Sequence, residues 1–189
     1  MDINAVLNQI DTYFSQSRLE DAERYMLQQF EASDREGDRE AHAVIANELI
    51  GYYRSAKRHA ESVRLTEETL AFVKANGLEG TITHATTYLN GGTAYRFAGD
   101  PEKALSYFVS CEQIYKSRLS PTDYHYAGLY NNMGAEVVNK PLEALTGIRV
   151  EVLQTLGCLY FQSVDGIIGI VGHISRDECL CTLAERDTI

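Results

Sequence analysis

The chain has 189 residues and a net charge of −10, from 17 basic and 27 acidic residues. Nucleic-acid binding depends on neutralising phosphates, so an acidic chain without a basic run excludes that role. The sequence has no run of about 18 apolar residues and no basic N-terminal segment followed by an apolar one, so we expect neither a membrane span nor a signal peptide. Four cysteines without such a signal indicate reduced thiols in the cytoplasm.

A short pattern recurs along the first two thirds of the chain, in residues 7–13, 46–52, 89–95 and 131–137. Each copy has an asparagine followed two residues later by an apolar or small residue. These four asparagines, which we call the asparagine ladder, are Asn8, Asn47, Asn90 and Asn132. They are spaced by 39, 43 and 42 residues, and a fixed period of this size is the mark of a repeat architecture.

A second helix follows each copy of this pattern. In the third repeat Asp100 is a good N-cap, and Pro101 suits the first helical position, where no amide hydrogen is needed. Ala104 and Phe108 follow on one face, and Ala22 and Met26 hold the matching places in the first repeat. Small residues such as Gly92 should let the two helices of a pair approach closely, so that stacked pairs share one core.

The clearest copy of the whole repeat reads Tyr88-x-x-Gly91-Gly92-x-x-Tyr95-x-x-x-Gly99-x-x-x-x-Ala104-x-x-x-Phe108. This pattern resembles the tetratricopeptide repeat consensus. The period near 42 residues and the placing of the asparagine are similar to the long-helix variant of kinesin light chains and of bacterial regulatory proteins. The resemblance covers roughly residues 3–136, although Glu61 stands where the second repeat should have an alanine.

The resemblance implies an all-α fold, a right-handed superhelix of antiparallel helix pairs with an irregular C-terminal tail. We predict a helical repeat domain over residues 1–156, in units 3–36, 40–77, 82–118 and 122–156. Residues 157–189 form an atypical tail, because residues 164–172 are rich in glycine and isoleucine without a helical period. Asp165-Gly166 favours a hairpin turn there. The tail is either an unusual terminal domain, poorly ordered, or the end of a truncated or frame-shifted reading frame.

The asparagine ladder is the first candidate for a binding site. In tetratricopeptide arrays the first helix of each pair lines a concave groove, and the resemblance places the four asparagines there. A carboxamide both donates and accepts, so it suits the backbone of an extended peptide. The alternative is that these side chains hydrogen-bond the adjacent repeat or cap backbone groups.

Four further residues lie near the same inner edge: Tyr53, Arg54, Arg96 and Phe97. Arginine and aromatic side chains are the usual hot spots of protein interfaces. Arg54 and Arg96 would either receive a carboxylate from the ligand or form ion pairs within the chain.

Catalytic and metal chemistry have little support in the sequence. His173, Cys179 and Cys181, with Cys158 nearby, lack the paired spacing of structural zinc sites. No phosphate-binding or dinucleotide glycine motif is present. We therefore predict no catalytic residue, no metal site and no cofactor.

The sequence thus predicts a scaffold that binds a protein or peptide on its concave face and is not an enzyme. One alternative is a peptide-sensing domain of a bacterial signalling or transcription regulator, and another is a metal-dependent enzyme. A homodimer formed through the uncapped C-terminal end is a further expectation. The partner cannot be named, because the surfaces of repeat arrays vary independently of the scaffold.

Overall fold

The computed structural model describes residues 1–137, 149–152, 159–163 and 166–171. The chain forms two compact units, Met1–Pro121 and Thr122–Ile189. Over residues 1–137 it consists of seven α-helices joined by short turns, which confirms the predicted helical repeat. The helices are α1 (Ile3–Ser15), α2 (Leu19–Glu36), α3 (Arg39–Ser55), α4 (His59–Ala75), α5 (Ile82–Ala98), α6 (Pro101–Arg118) and α7 (His125–Val137).

Polar caps fix where the first helix of each pair begins. Asp2, Asp38 and Thr81 each accept a hydrogen bond from the backbone amide three residues further on. Asp100 does the same at the start of α6, where Pro101 occupies the first turn as predicted. Each such cap satisfies one of the amides that a helix start leaves without a partner.

The turn inside each helix pair has the same backbone form. The residue two positions before the second helix has a positive φ, which is +57° at Ser17, +62° at Lys57 and +87° at Gly99. Only the third repeat places glycine there, although glycine is the residue that adopts this conformation without steric cost. The turn therefore gives a reference point for aligning the three repeats.

Counting from this turn corrects the alignment of the second repeat. The buried small residue lies five positions after the turn residue, at Ala22, Ser62 and Ala104, and all three are 0% exposed. Glu61 therefore does not replace an alanine, since Ser62 occupies that place. The Ser62 hydroxyl donates to the Ile50 carbonyl oxygen at 2.9 Å, and that bond lets a polar side chain stand in the core.

Lys57→Gly is expected to raise the free energy of unfolding by about 0.5–1 kcal/mol, because glycine removes the strain of a left-handed lysine. Lys57 is exposed, so its side chain contributes little packing. Urea denaturation followed by circular dichroism measures the change. Ala56→Gly is the matched control: Ala56 has a φ of −76°, so glycine there should slightly destabilise the protein. A Lys57→Gly variant no more stable than the parent contradicts this explanation.

The core of the first unit forms where the helices of each pair meet. A Cβ placed on Gly92 would lie 2.5–3.0 Å from three ring atoms of Phe108, and one placed on Gly91 would collide with Thr66 and Tyr107. Phe108 is 0% exposed. The glycine predicted to allow a close approach therefore does so, and the aromatic ring of α6 fills the space that it leaves.

Helix α7 and three strands belong to the second unit. The strands are β1 (Arg149–Val152), β2 (Leu159–Ser163) and β3 (Gly166–Val171), paired antiparallel in the order β1-β2-β3. Ser163 lies opposite Gly166, at the place where a hairpin was predicted. Strand β1 lies inside the predicted fourth unit (122–156), where a helix pair was expected. Its valines alternate with longer polar residues, a pattern that favours a strand.

Several sequence predictions lie outside the described residues. One concerns the weak candidates for metal ligands, Cys158, His173, Cys179 and Cys181. The other is the homodimer expected to form through the C-terminal end. The extent of the repeat domain to residue 156 stays a prediction.

Candidate functional site

The candidate site lies on the surface formed by α1, α3 and α5, the first helices of the three pairs, which we call the first-helix face. Helices α3 and α5 pack directly against each other. Phe14 of α1 stacks on Tyr52 of α3, with ring centroids 6.4 Å apart. The face is thus made of neighbouring helices, each held to the next by its own side chains.

Asn47 is buried in this face, with 4% of its surface exposed. Its Nδ2 donates to the Ala43 carbonyl oxygen and to the Thr87 hydroxyl, both at 3.0 Å. Its Oδ1 accepts from Asn90 Nδ2 at 3.2 Å. Asn47 therefore joins α3 to α5, which is the alternative that the sequence left open for the ladder.

The other asparagines of the ladder are in different environments. Asn8 is exposed on α1, and Asn90 is half-buried with its amide turned toward Asn47. Asn132 Nδ2 donates to the Gly128 carbonyl oxygen of its own helix at 2.9 Å. Hydrogen bonds within the chain thus engage three of the four carboxamides, and the role of the ladder in binding a peptide stays a prediction.

Arg54 is a half-buried cation near the end of α3. The described residues give it neither a hydrogen-bond partner nor an ion-pair partner, so the intramolecular ion pair that the sequence offered as an alternative is not found among them. Burial lowers the pKa of its guanidinium, and the positive charge of Arg96 on α5 lowers it further. The two guanidinium groups therefore repel each other.

Phe97 stands beside these arginines with 52% of its surface exposed. The Arg96 guanidinium carbon lies 5.1 Å from the centre of the Phe97 ring. The Phe97 ring also stacks on His59 of α4, with ring centroids 5.8 Å apart and an interplanar angle of 14°. Arg54, Arg96 and Phe97, which the sequence singled out, are thus brought together at one end of the first-helix face.

Tyr53 does not belong to this cluster. It is 8% exposed, and the Arg58 guanidinium carbon covers its ring at 4.3 Å. Arg58 is itself paired with Glu23 and Glu61, with N–O distances of 2.6 Å and 2.5 Å. The predicted role of Tyr53 in binding stays a prediction, but its ring is a packing surface for the chain's own arginine.

Sequence reasoning missed a polar cluster between α4, α5 and α6. The hydroxyls of Tyr95 and Tyr107 both donate to Glu67 Oε1 at 2.5 Å, and Lys103 Nζ lies 3.8 Å from the same oxygen. Burial, followed by the hydrogen bond to Glu67, raises the pKa of Tyr95 to about 12. The cluster satisfies its members internally, which fits a structural link between helices better than a binding site.

Another cluster missed by the sequence surrounds His42, in a cleft of about 150 Å³. The imidazole stacks between Phe30 and Phe72, with centroids 4.0 and 4.1 Å away, and its Nδ1 lies 2.9 Å from Asp34 Oδ1. Burial lowers the pKa of His42, although Asp34 acts in the opposite direction. Ser33 completes an acid–histidine–serine group but is 0% exposed and donates to a backbone carbonyl oxygen, so it is not placed to attack a substrate.

Neither a metal site nor a membrane-spanning helix is found in the described part of the chain. No group of three or more histidine, cysteine, aspartate or glutamate side chains there could hold a metal ion. Cys111 is buried, and burial raises its pKa to about 12, which is typical of an inert core thiol. No helix among these residues has the length and apolar content needed to cross a membrane.

Comparison with family models and with curated proteins gave no match. Among solved structures, the chain is similar to BtubC (BKLC) from P. vanneervenii, a tetratricopeptide-like repeat protein. The TM-score is 0.64 at 20% sequence identity, and the match covers 72% of this chain and 56% of that one. The chain therefore spans little more than half of that protein's length. At this identity the similarity shows the fold, a tetratricopeptide-like helical repeat.

Proposed function

We propose that the chain is a scaffold that binds a protein or peptide on its first-helix face and carries out no catalysis. The observation that carries this proposal is Phe97, an aromatic side chain 52% exposed beside two arginines. Exposed aromatic and arginine side chains together are the usual hot spots of protein interfaces. The long-period, kinesin-light-chain-like character and the cytoplasmic location are parts of the same proposal.

The scaffold around Phe97 is rigid enough to present it to a partner. The aromatic ring rests on His59 of α4, while Asn47 and Asn90 hold α3 and α5 in register. A binding surface built on packed helices loses little conformational entropy when a ligand binds. The first-helix face thus offers a preformed surface, as repeat arrays generally do.

Phe97→Ala is expected to weaken the binding of peptides selected on this protein about tenfold or more, because it removes the exposed anchor. A displayed random-peptide library selected on the intact protein supplies the ligands, and isothermal titration calorimetry measures their affinities. Leu27→Ala is the matched control, since Leu27 is also an exposed large apolar residue (39%) but lies on α2. If Phe97→Ala and Leu27→Ala bind the selected peptides equally well, the first-helix face is not the binding surface.

A further inference from the structure

We propose that the cleft beside His42 binds an organic ammonium group, which donates N–H hydrogen bonds to the acceptors of its lining. The cleft has a volume of about 150 Å³, enough for a group the size of a benzene ring. Helices α2 and α4 end at it, and α3 begins there. The site goes beyond the proposed function, because His42 lies near the start of α3 whereas Phe97 lies near the end of α5.

The first argument is the open ring nitrogen of His42. The side chain is 7% exposed, since Phe30 and Phe72 cover the two faces of its ring. Its Nδ1 lies 2.9 Å from Asp34 Oδ1 and 3.3 Å from Ser33 Oγ, whose own hydrogen goes to a backbone carbonyl oxygen. Nδ1 therefore carries the proton, and Nε2 is an acceptor without a hydrogen-bond partner among the described residues. Protein atoms do not enclose Nε2, so it opens on the cleft.

The second argument is that the other polar groups of the lining also accept. Asn76 donates its Nδ2 to the Phe72 carbonyl oxygen at 2.9 Å, which leaves its Oδ1 to accept. The Met1 amino group binds Asp38 Oδ2 at 3.0 Å, so Asp34 supplies the carboxylate for a ligand. A cation that donates N–H matches these acceptors, and the Phe72 ring offers it a cation–π contact.

The third argument is the polarity of the helices that meet at the cleft. Asp34 lies in the last turn of α2, and Asn76 is the C-cap of α4. The carbonyl groups at a helix C-terminus carry a partial negative charge, which favours cations. The start of α3 has the opposite polarity, but the Asp38 carboxylate caps it. Arg39, the basic residue of the lining, is exposed and forms no ion pair within the described part of the chain.

Nitrogen NMR of the histidine rings tests the geometry on the intact protein. Burial keeps the pKa of His42 below its ordinary value, although the Asp34 carboxylate acts in the opposite direction. At about pH 7.5 we therefore expect the neutral tautomer with the proton on Nδ1. A proton on Nε2 at this pH overturns the site, and this measurement needs no substitution.

Titration with butylammonium chloride tests the ligand class. The ring signals of His42 should shift saturably with butylammonium, but not with tetramethylammonium or sodium chloride at equal ionic strength. Tetramethylammonium carries the same charge without an N–H donor, so an equal response to it overturns the site. Putrescine and an acetylated lysine amide then separate two sources of the ammonium group, a free polyamine and the lysine side chain of a partner. The tighter binder identifies the source.

Asp34→Asn should weaken butylammonium binding about tenfold or more, because it removes the carboxylate at the cleft. The Asp34 side chain is 60% exposed, so circular dichroism should show an intact fold. Glu31→Gln is the matched control, since Glu31 is an exposed acid of α2 outside the lining. Equal affinities of the two variants overturn the site. Phe97→Ala should bind butylammonium like the parent, so a failure of this site is distinct from a failure of the proposed function.

Discussion

Replacing Gly92 by alanine is expected to lower the free energy of unfolding by about 2 kcal/mol, although alanine is the better helix former. The added Cβ would lie 2.5–3.0 Å from three ring atoms of Phe108. Phe108 is 0% exposed, so its ring cannot swing into solvent to make room. The helices α5 and α6 would have to move apart, and the loss of packing along the pair outweighs the gain in helix propensity of about 1 kcal/mol.

Urea denaturation measures the effect, and Gly128→Ala is its control. Gly128 also lies inside a helix, but a Cβ there would meet nothing within 4 Å, so alanine should be neutral or stabilising. The double variant Gly92→Ala with Phe108→Leu should cost less than the sum of the two single changes, because the smaller side chain removes the collision. Strict additivity would show that Gly92 and Phe108 do not share this space.

The sequence predicted the parts of the fold that depend on local chemistry and on close packing. Asp100 and Pro101 start α6 as expected, since a cap and a proline act within a single turn. Gly92 allows α5 and α6 to approach closely as expected, although the side chain that it faces is Phe108. Ser62 was missed because serine was not counted as a small core residue, and only the turn at Lys57 shows the alignment.

The candidate site was predicted less completely, for physical reasons. Spacing placed Arg54, Arg96 and Phe97 near one edge, and the structure brings these three together. Spacing cannot show that an arginine lacks a counter-charge, because this depends on the positions of acidic side chains far apart in the sequence. Nor could the spacing of residues show that Arg58 covers Tyr53, because that contact depends on the conformation of the Arg58 side chain.

The asparagine ladder left two interpretations open, since a carboxamide serves equally well inside and outside a fold. Its two interpretations differ in a measurable quantity. An asparagine in a binding groove contributes to affinity and little to stability. One that joins two helices contributes to stability, because its removal leaves a buried polar partner without a hydrogen bond.

Asn47→Ala is therefore expected to lower the free energy of unfolding by about 2 kcal/mol. The change deletes the bond to the Thr87 hydroxyl and the acceptor of Asn90 Nδ2, and it leaves a gap at a position only 4% exposed. Alanine's higher helix propensity offsets roughly 0.5 kcal/mol of this loss.

Asn8→Ala is the matched control, because Asn8 has the equivalent place in the repeat pattern but is exposed. Its effect on stability should stay within about 0.5 kcal/mol, as for other exposed positions. Urea denaturation of both variants gives the comparison, and hydrogen exchange of the α3 and α5 amides locates the loss. If Asn47→Ala is as stable as Asn8→Ala, the link between α3 and α5 does not depend on the asparagine. The ladder would then be free to serve a ligand.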